Sequence, residues 1–305
     1  MDRTARTAGV DVGGTKVAVG LLDGTTLTPR GLEPTAVDEP EALLAQIVRL
    51  VGELGPVDGV GIGVPSVVRI SDGRVVSSVN IAAFRDVALR DELADRLGVP
   101  VHVDNDANLA ALSEAWDEDL QLLHRSLVCV TVGTGIGGGA VLDGRPLHGA
   151  RTSAFELGHL TVGADLTAGA PAAGDAPLPS SLEHWASGRA LDRLARERGF
   201  ADGPALTDAA ERGDEQAIDG LRILGERLGV GIAAVITLLE PEAVVVGGGV
   251  SRAGELLVGP AREAAHRLLL PGLGTETEIR VAVHGPQAGL RGAALLARLE
   301  EVPSR

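Results

Sequence analysis

The chain of 305 residues is 45% hydrophobic and 23% charged, which supplies ample apolar surface for a core and excludes global disorder. Its net charge of −15 repels phosphate backbones and anionic lipid heads, and no run of Lys or Arg offsets it. Neither a nucleic-acid partner nor a membrane partner is therefore expected, and the length accommodates two domains of about 150 residues each.

Taken in chain order, residues 8–12 and 17–22 are apolar and β-branched around Gly13, Gly14 and Thr15, the pattern of a hairpin with a glycine turn. A third strand is expected over 26–32. Pro40 then opens a helix from 41 to about 54, with Leu43, Leu44, Ile47, Val48 and Val51 on one face. Residues 57–64 form a buried strand, 86–97 an amphipathic stretch and 99–103 another strand. A helix over 107–116 follows, capped by Asp104, Asn105 or Asp106. The pattern then begins again with a second glycine-turned hairpin, 126–132 and 136–142. A long helix over 214–239, a strand at 243–246, a helix at 254–269, a strand at 278–283 and a closing helix at 288–299 complete it. This is an α/β order in which a hairpin core recurs, predicting two related lobes with a cleft between them. The expected division gives residues 1–115 plus 287–305 to an N-terminal lobe and 116–286 to a C-terminal lobe. Residues 163–181 are rich in small side chains, glycine and proline, and read as a long mobile loop.

Two features bear on location. Cys129 is the only cysteine and sits in an apolar strand, so neither a disulfide within the chain nor a multi-cysteine zinc site is available. The first nine residues carry Asp2, Arg3 and Arg6 without an apolar stretch, so no signal peptide is expected, and a reducing cytoplasm fits.

The chemistry concentrates in a few clusters. Asp11-Val12-Gly13-Gly14-Thr15-Lys16 and the turn from Thr131 to Gly139 are glycine turns whose backbone N–H groups can approach phosphate oxygens, although either alone is also an ordinary hairpin turn. Lys16 is the only lysine. Gly133, Gly135 and Gly138 satisfy the spacing of a dinucleotide fingerprint, with Glu156 downstream. The glycines lead into a strand and not a helix, so that reading fails on context. Asp104-Asn105-Asp106-Ala107-Asn108 lies where a strand passes into a helix. A carboxylate there can take a proton from a sugar hydroxyl, or the cluster can be plain capping. Glu156-Leu157-Gly158-His159 and Ser181-Leu182-Glu183-His184 each offer a carboxylate suited to vicinal hydroxyls.

The ordered set Asp-x-Gly-Gly-Thr-Lys (11–16), Gly-x-Gly-x-Pro (61–65), Asn-Asp-Ala-Asn-x-x-Ala-Leu-x-Glu (105–114), Gly-Thr-Gly-Ile-Gly-Gly-Gly (133–139), Glu-x-Gly-His (156–159), Leu-Glu-x-x-x-Ser-Gly (182–188) and Val-Val-Gly-Gly-Gly-Val (245–250) resembles the repressor/open-reading-frame/kinase (ROK) family. That family comprises sugar kinases and sugar-responsive repressors of the hexokinase–actin-like superfamily. The resemblance implies two ribonuclease-H-like lobes, a homodimer, and transfer of a phosphoryl group from ATP, with Mg²⁺, to the 6-hydroxyl of a hexose or amino sugar. It makes Asp106 the general base. Asn105, Glu156, His159 and Glu183 would bind sugar hydroxyls, with Ser66 and Asn80 lining the same pocket. Asp11, Gly13, Gly14, Thr15 and Lys16 would form the first phosphate site with Mg²⁺ near Asp11, Thr134 and Gly135 the second, and Gly247, Gly248 and Gly249 would approach the adenosine.

Two departures qualify the match. The family's zinc-binding cysteines are absent, because the corresponding stretch runs Gly174-Asp175-Ala176-Pro177-Leu178-Pro179-Ser180-Ser181. A structural zinc needs about four ligands, so none is expected here. Ser66 also stands where the family turn has glycine. With ten residues before Asp11 and a net charge of −15, the helix-turn-helix of the repressors and DNA binding are not expected. A specialised amino-sugar kinase of a biosynthetic pathway and a non-catalytic sugar-binding regulator remain as alternatives.

Overall fold

The structure, a computed structural model, describes residues 4–78, 81–167, 169–171, 174 and 176–299. Asn80 and Asp175 lie outside the described residues. The chain divides into two compact units, one of Met1–Arg125, Gly139–Phe155 and Pro286–Arg305, the other of Ser126–Gly138 and Glu156–Gly285.

The first half of the chain runs β1 (Arg6–Val12), β2 (Lys16–Asp23), β3 (Thr26–Pro34), α1 (Pro40–Gly52), β4 (Gly59–Val64), β5 (Ser66–Arg69), β6 (Arg74–Ser78), β7 (Arg85–Val87), α2 (Leu89–Leu97), β8 (Val101–Asn105) and α3 (Asp106–Ala115). The second half runs β9 (Ser126–Val132), β10 (Ile136–Leu142), β11 (Arg145–Pro146), α4 (Leu182–Ala186), α5 (Gly188–Glu197), α6 (Gly203–Glu211), α7 (Glu215–Leu239), β12 (Ala243–Gly247), α8 (Glu255–Leu268), β13 (Glu278–Val281) and α9 (Ala288–Leu296).

One sheet has the order β3-β2-β1-β4-β8, and the other repeats it as β11-β10-β9-β12-β13. In the first, β1 pairs antiparallel with β2 and parallel with β4, which in turn pairs parallel with β8. In the second, β9, β12 and β13 are likewise parallel. Both are the ribonuclease-H-like order, so the recurrence of glycine hairpins in the sequence does mark a recurrence of topology.

The parallel strands β4 and β12 are buried at every residue, which is why their sequences are unbroken runs of Gly, Ala, Val and Ile without polar alternation. The sheet of β1 and β4 is covered by α9, which lies very close: a Cβ on Gly61 would come within 1.8 Å of the Ala293 carbonyl. The close approach therefore requires glycine in the strand. Arg291, buried in α9, donates to the carbonyls of Ser113 and Asp117 and ties that helix to the end of α3.

Several expectations need correction. The amphipathic stretch 86–97 divides between two elements: Asp86 has a positive φ of 56° inside the short strand β7, and the helix starts at Leu89. The strand expected at 99–103 runs from Val101 to Asn105, which carries Asn105 to the strand end. The strand expected at 57–64 begins at Gly59, and the closing helix ends at Leu296. The three-stranded sheet β5-β6-β7 and the helices α4, α5 and α6 are additional.

Candidate active site

In the first unit, the β1–β2 turn is closed by the Gly13 N–H donating to Lys16 O at 2.8 Å, and Thr35 Oγ1 donates to Gly13 O at 2.7 Å. Thr15 and Lys16 are left exposed at its tip. Asp11, at the end of β1, is only partly accessible, and burial pushes its carboxyl up from 3.8 to about 6. Gly289, in the first turn of α9, makes room for it: a Cβ there would stand 2.7 Å from Asp11 Oδ2.

The strand-to-helix junction of β8 and α3 builds the second feature. Asn105 is the helix cap, with Oδ1 accepting from Ala107 N at 2.9 Å, and its Nδ2 donates to Ser66 O at 3.3 Å. Of the three capping residues offered by the sequence, it is thus Asn105 that caps. Asp106 is the first helical residue, half-buried, with Oδ1 also accepting from Ala107 N. Asp104 is buried, and its two oxygens receive Asn105 N, Asn108 Nδ2 and His148 Nε2. Beside Asn105, the Ser66 hydroxyl is buried and has no hydrogen-bond partner among the described residues.

In the second unit, the β9–β10 turn is closed by Gly133 N donating to Gly135 O at 3.0 Å, and Gly188 N donates to Gly133 O at 2.8 Å. Thr134 is exposed at the tip. Glu183 reaches this turn from α4: its Oε2 accepts from Ile136 N at 2.9 Å, and a Cβ on Gly135 would stand 2.4 Å from that oxygen. Glu183 was expected as a sugar ligand, yet it also braces the glycine turn, a role its motif does not reveal. Glu156 precedes a short 3-10 turn that His159 ends, and both are exposed. Gly247 ends β12, and Gly248 takes a φ of 84° before the turn that starts at Gly249.

The structure therefore brings together Asp11, the first glycine turn, Ser66, Asn105 and Asp106 in one unit. Thr134, Gly135, Glu156, His159, Glu183 and Gly247–Gly249 belong to the other. Sequence reasoning missed His148, which has no motif and reaches Asp104 across 44 residues, and Gly289, whose signal is only a glycine opening the closing helix. Among the described residues, no three His, Cys, Asp or Glu side chains gather as a metal centre, and no helix is long and apolar enough to cross a membrane.

The repeated sheet order, with glycine turns at the first hairpins and a carboxylate at the β8–α3 junction, defines an α/β protein of the hexokinase–actin type. The ROK family profile matches residues 7–300, and the chain belongs to that family. It is 33% identical over 317 residues to a glucokinase of Halalkalibacterium halodurans, covering 96% of this chain and 95% of that one. To an N-acetyl-D-glucosamine kinase of Escherichia coli it is 34% identical, covering 94% and 98%. Among solved structures, a ROK family glucokinase from Streptomyces griseus in complex with glucose and AMPPNP is 33% identical, with a TM-score of 0.77 and coverage of 96% and 99%.

Proposed function

We propose that the protein is an ATP-dependent sugar kinase that phosphorylates the 6-hydroxyl of a hexose, glucose or a glucose-like amino sugar, with Asp106 as general base. The observation that carries this reading is the β8–α3 junction. There Asp104 fixes the backbone of Asn105, Asn105 caps the helix, and Asp106 opens it with its carboxylate half-buried. Phosphoryl transfer asks little covalent work of a protein; alignment and charge compensation carry the rate. Asp106 accepts the hydroxyl proton as the new O–P bond forms and the bond from the γ-phosphorus of ATP to its bridging oxygen breaks, with ADP leaving. Asn105, with a donor and an acceptor, binds a sugar hydroxyl, the role the family resemblance also gives to Glu156, His159 and Glu183.

The glycine turns present backbone N–H groups to the phosphates, with Lys16 and Thr15 at the tip of the first and Thr134 and Gly135 on the second. Gly247, Gly248 and Gly249 approach the adenosine. Asp11 fits a hard cation, being a partly buried carboxylate whose ionisation the surroundings oppose. It would hold Mg²⁺ through water, and that ion, when bound, neutralises charge on the transferred phosphoryl group.

A second reading, a kinase specialised for an amino sugar, is favoured by the Ser66 hydroxyl, which is buried beside Asn105 and has no hydrogen-bond partner among the described residues. A coupled ADP-release assay with ATP over glucose, mannose, glucosamine, N-acetylglucosamine and a 3-amino sugar tests both. The expected result is ATP-dependent turnover with at least one gluco-configured sugar. No sugar-stimulated ADP release in any arm would overturn the proposal.

A further inference from the structure

Asp104 is the most enclosed carboxylate near the β8–α3 junction, with its side chain 2% exposed. Oδ1 accepts from Asn105 N at 2.7 Å and from Asn108 Nδ2 at 2.9 Å, while Oδ2 lies 2.6 Å from His148 Nε2. The donors come from three places: the strand end, the first turn of α3, and the segment that follows β11. With its proton on Nε2, the tautomer that suits a neighbour able only to accept, His148 donates to Oδ2. His148 itself is 24% exposed on its side chain. The junction holding Asn105 and Asp106 is thus set by its buried neighbour, and one of that neighbour's two oxygens depends on a residue remote in sequence.

We infer that His148 is a positioning residue for the Asn105–Asp106 junction, acting through Asp104 by way of the 2.6 Å hydrogen bond; this rests on Asp106 being the base, as proposed above. Without the imidazole, Oδ2 is left buried with no donor from this side. The carboxylate must then turn toward another donor, which loosens its hold on Asn105 N and Asn108. Asn105 caps α3, and Asp106 follows it directly, so the displacement passes to the carboxylate that faces the reacting hydroxyl. Rates depend steeply on such placement: about 1 Å of misplacement can lower the rate on the order of 100-fold. Affinity for the sugar, which draws on several side chains, depends on it far less.

The test uses the full chain with steady-state kinetics. His148→Ala is expected to lower kcat by roughly tenfold or more while the sugar and ATP KM values stay within about threefold. His148→Gln, whose amide can place a donor near the position of Nε2, is expected to restore most of the loss. In a double-mutant cycle, His148→Ala is expected to add little in an Asp104→Asn background, since both act through one bond. Should His148→Ala not fold, His148→Met supplies the same comparison with the volume kept and the donor removed. An unchanged kcat in a folded donor-less variant, fully additive effects in the cycle, or a sugar KM that rises as much as kcat falls would each overturn the inference. Asp106→Asn separates the two levels. If that variant turns over normally, the base assignment itself falls. If it is inactive while His148→Ala is normal, only the role of His148 falls.

Discussion

Replacing Asp11 by asparagine exchanges a carboxylate that resists ionisation for a neutral amide of nearly the same shape. Burial raises the Asp11 carboxyl from 3.8 to about 6. At about 1.36 kcal/mol for each tenfold change, that interval corresponds to at most about 3 kcal/mol. The sign follows from the upward direction. The folded state binds the proton more tightly than the unfolded state, so the wild-type chain loses stability as pH rises from about 4 through about 6. Asp11→Asn escapes that loss. Its stability advantage should be absent near pH 4 and full by pH 7–8, a rise in Tm on the order of 5 °C for a unit of this size. The same change should weaken nucleotide use, because the carboxylate that opposes folding at neutral pH is the one suited to the cation. Thermal melts at several pH values, with and without Mg²⁺ and ATP, read both effects. The wild-type protein should gain more from Mg²⁺ and ATP than the variant does. A variant less stable than wild type at pH 8, or a difference independent of pH, would refute the reasoning and make Asp11 an ordinary structural acceptor.

Glu183→Gln should raise the ATP KM at least as much as the sugar KM, because its Oε2 holds the Ile136 N–H at the glycine turn; an effect confined to the sugar would return Glu183 to the role of sugar ligand alone. The loop over 163–181 contains no cysteine. Elemental analysis of protein purified without added metal should find well under one zinc per chain, and a chelator should leave Tm unchanged; stoichiometric zinc would contradict the reading of His159 as a sugar ligand.

How much was legible in the sequence follows the range of each interaction. The paired glycine hairpins were visible because a turn is encoded by adjacent residues, and the apolar runs of β4 and β12 because burial on both faces leaves no room for polar alternation. The junction at Asn105 and Asp106 was visible as a cluster of capping residues. The helices α4, α5 and α6 carried signals that could have been used, since Ser181, Ser187 and Asp202 each cap their helix by accepting from a backbone N–H. Other features are fixed by tertiary approach. The bond from His148 to Asp104, the space left by Gly289 for Asp11, and the grip of Glu183 on Ile136 join residues 44, 278 and 47 positions apart. No local pattern marks these pairs, because the partner is chosen by the fold.

The most direct test of the central claim is sugar-dependent ADP release by Asp106→Asn beside the wild-type protein, with sugar binding measured on both by calorimetry. The wild-type chain should form a 6-phosphorylated sugar. The variant should bind the same sugar within about tenfold and lose turnover by on the order of 100-fold or more, since a general base acts chiefly in the transition state. A variant that retains a large share of wild-type turnover would contradict it.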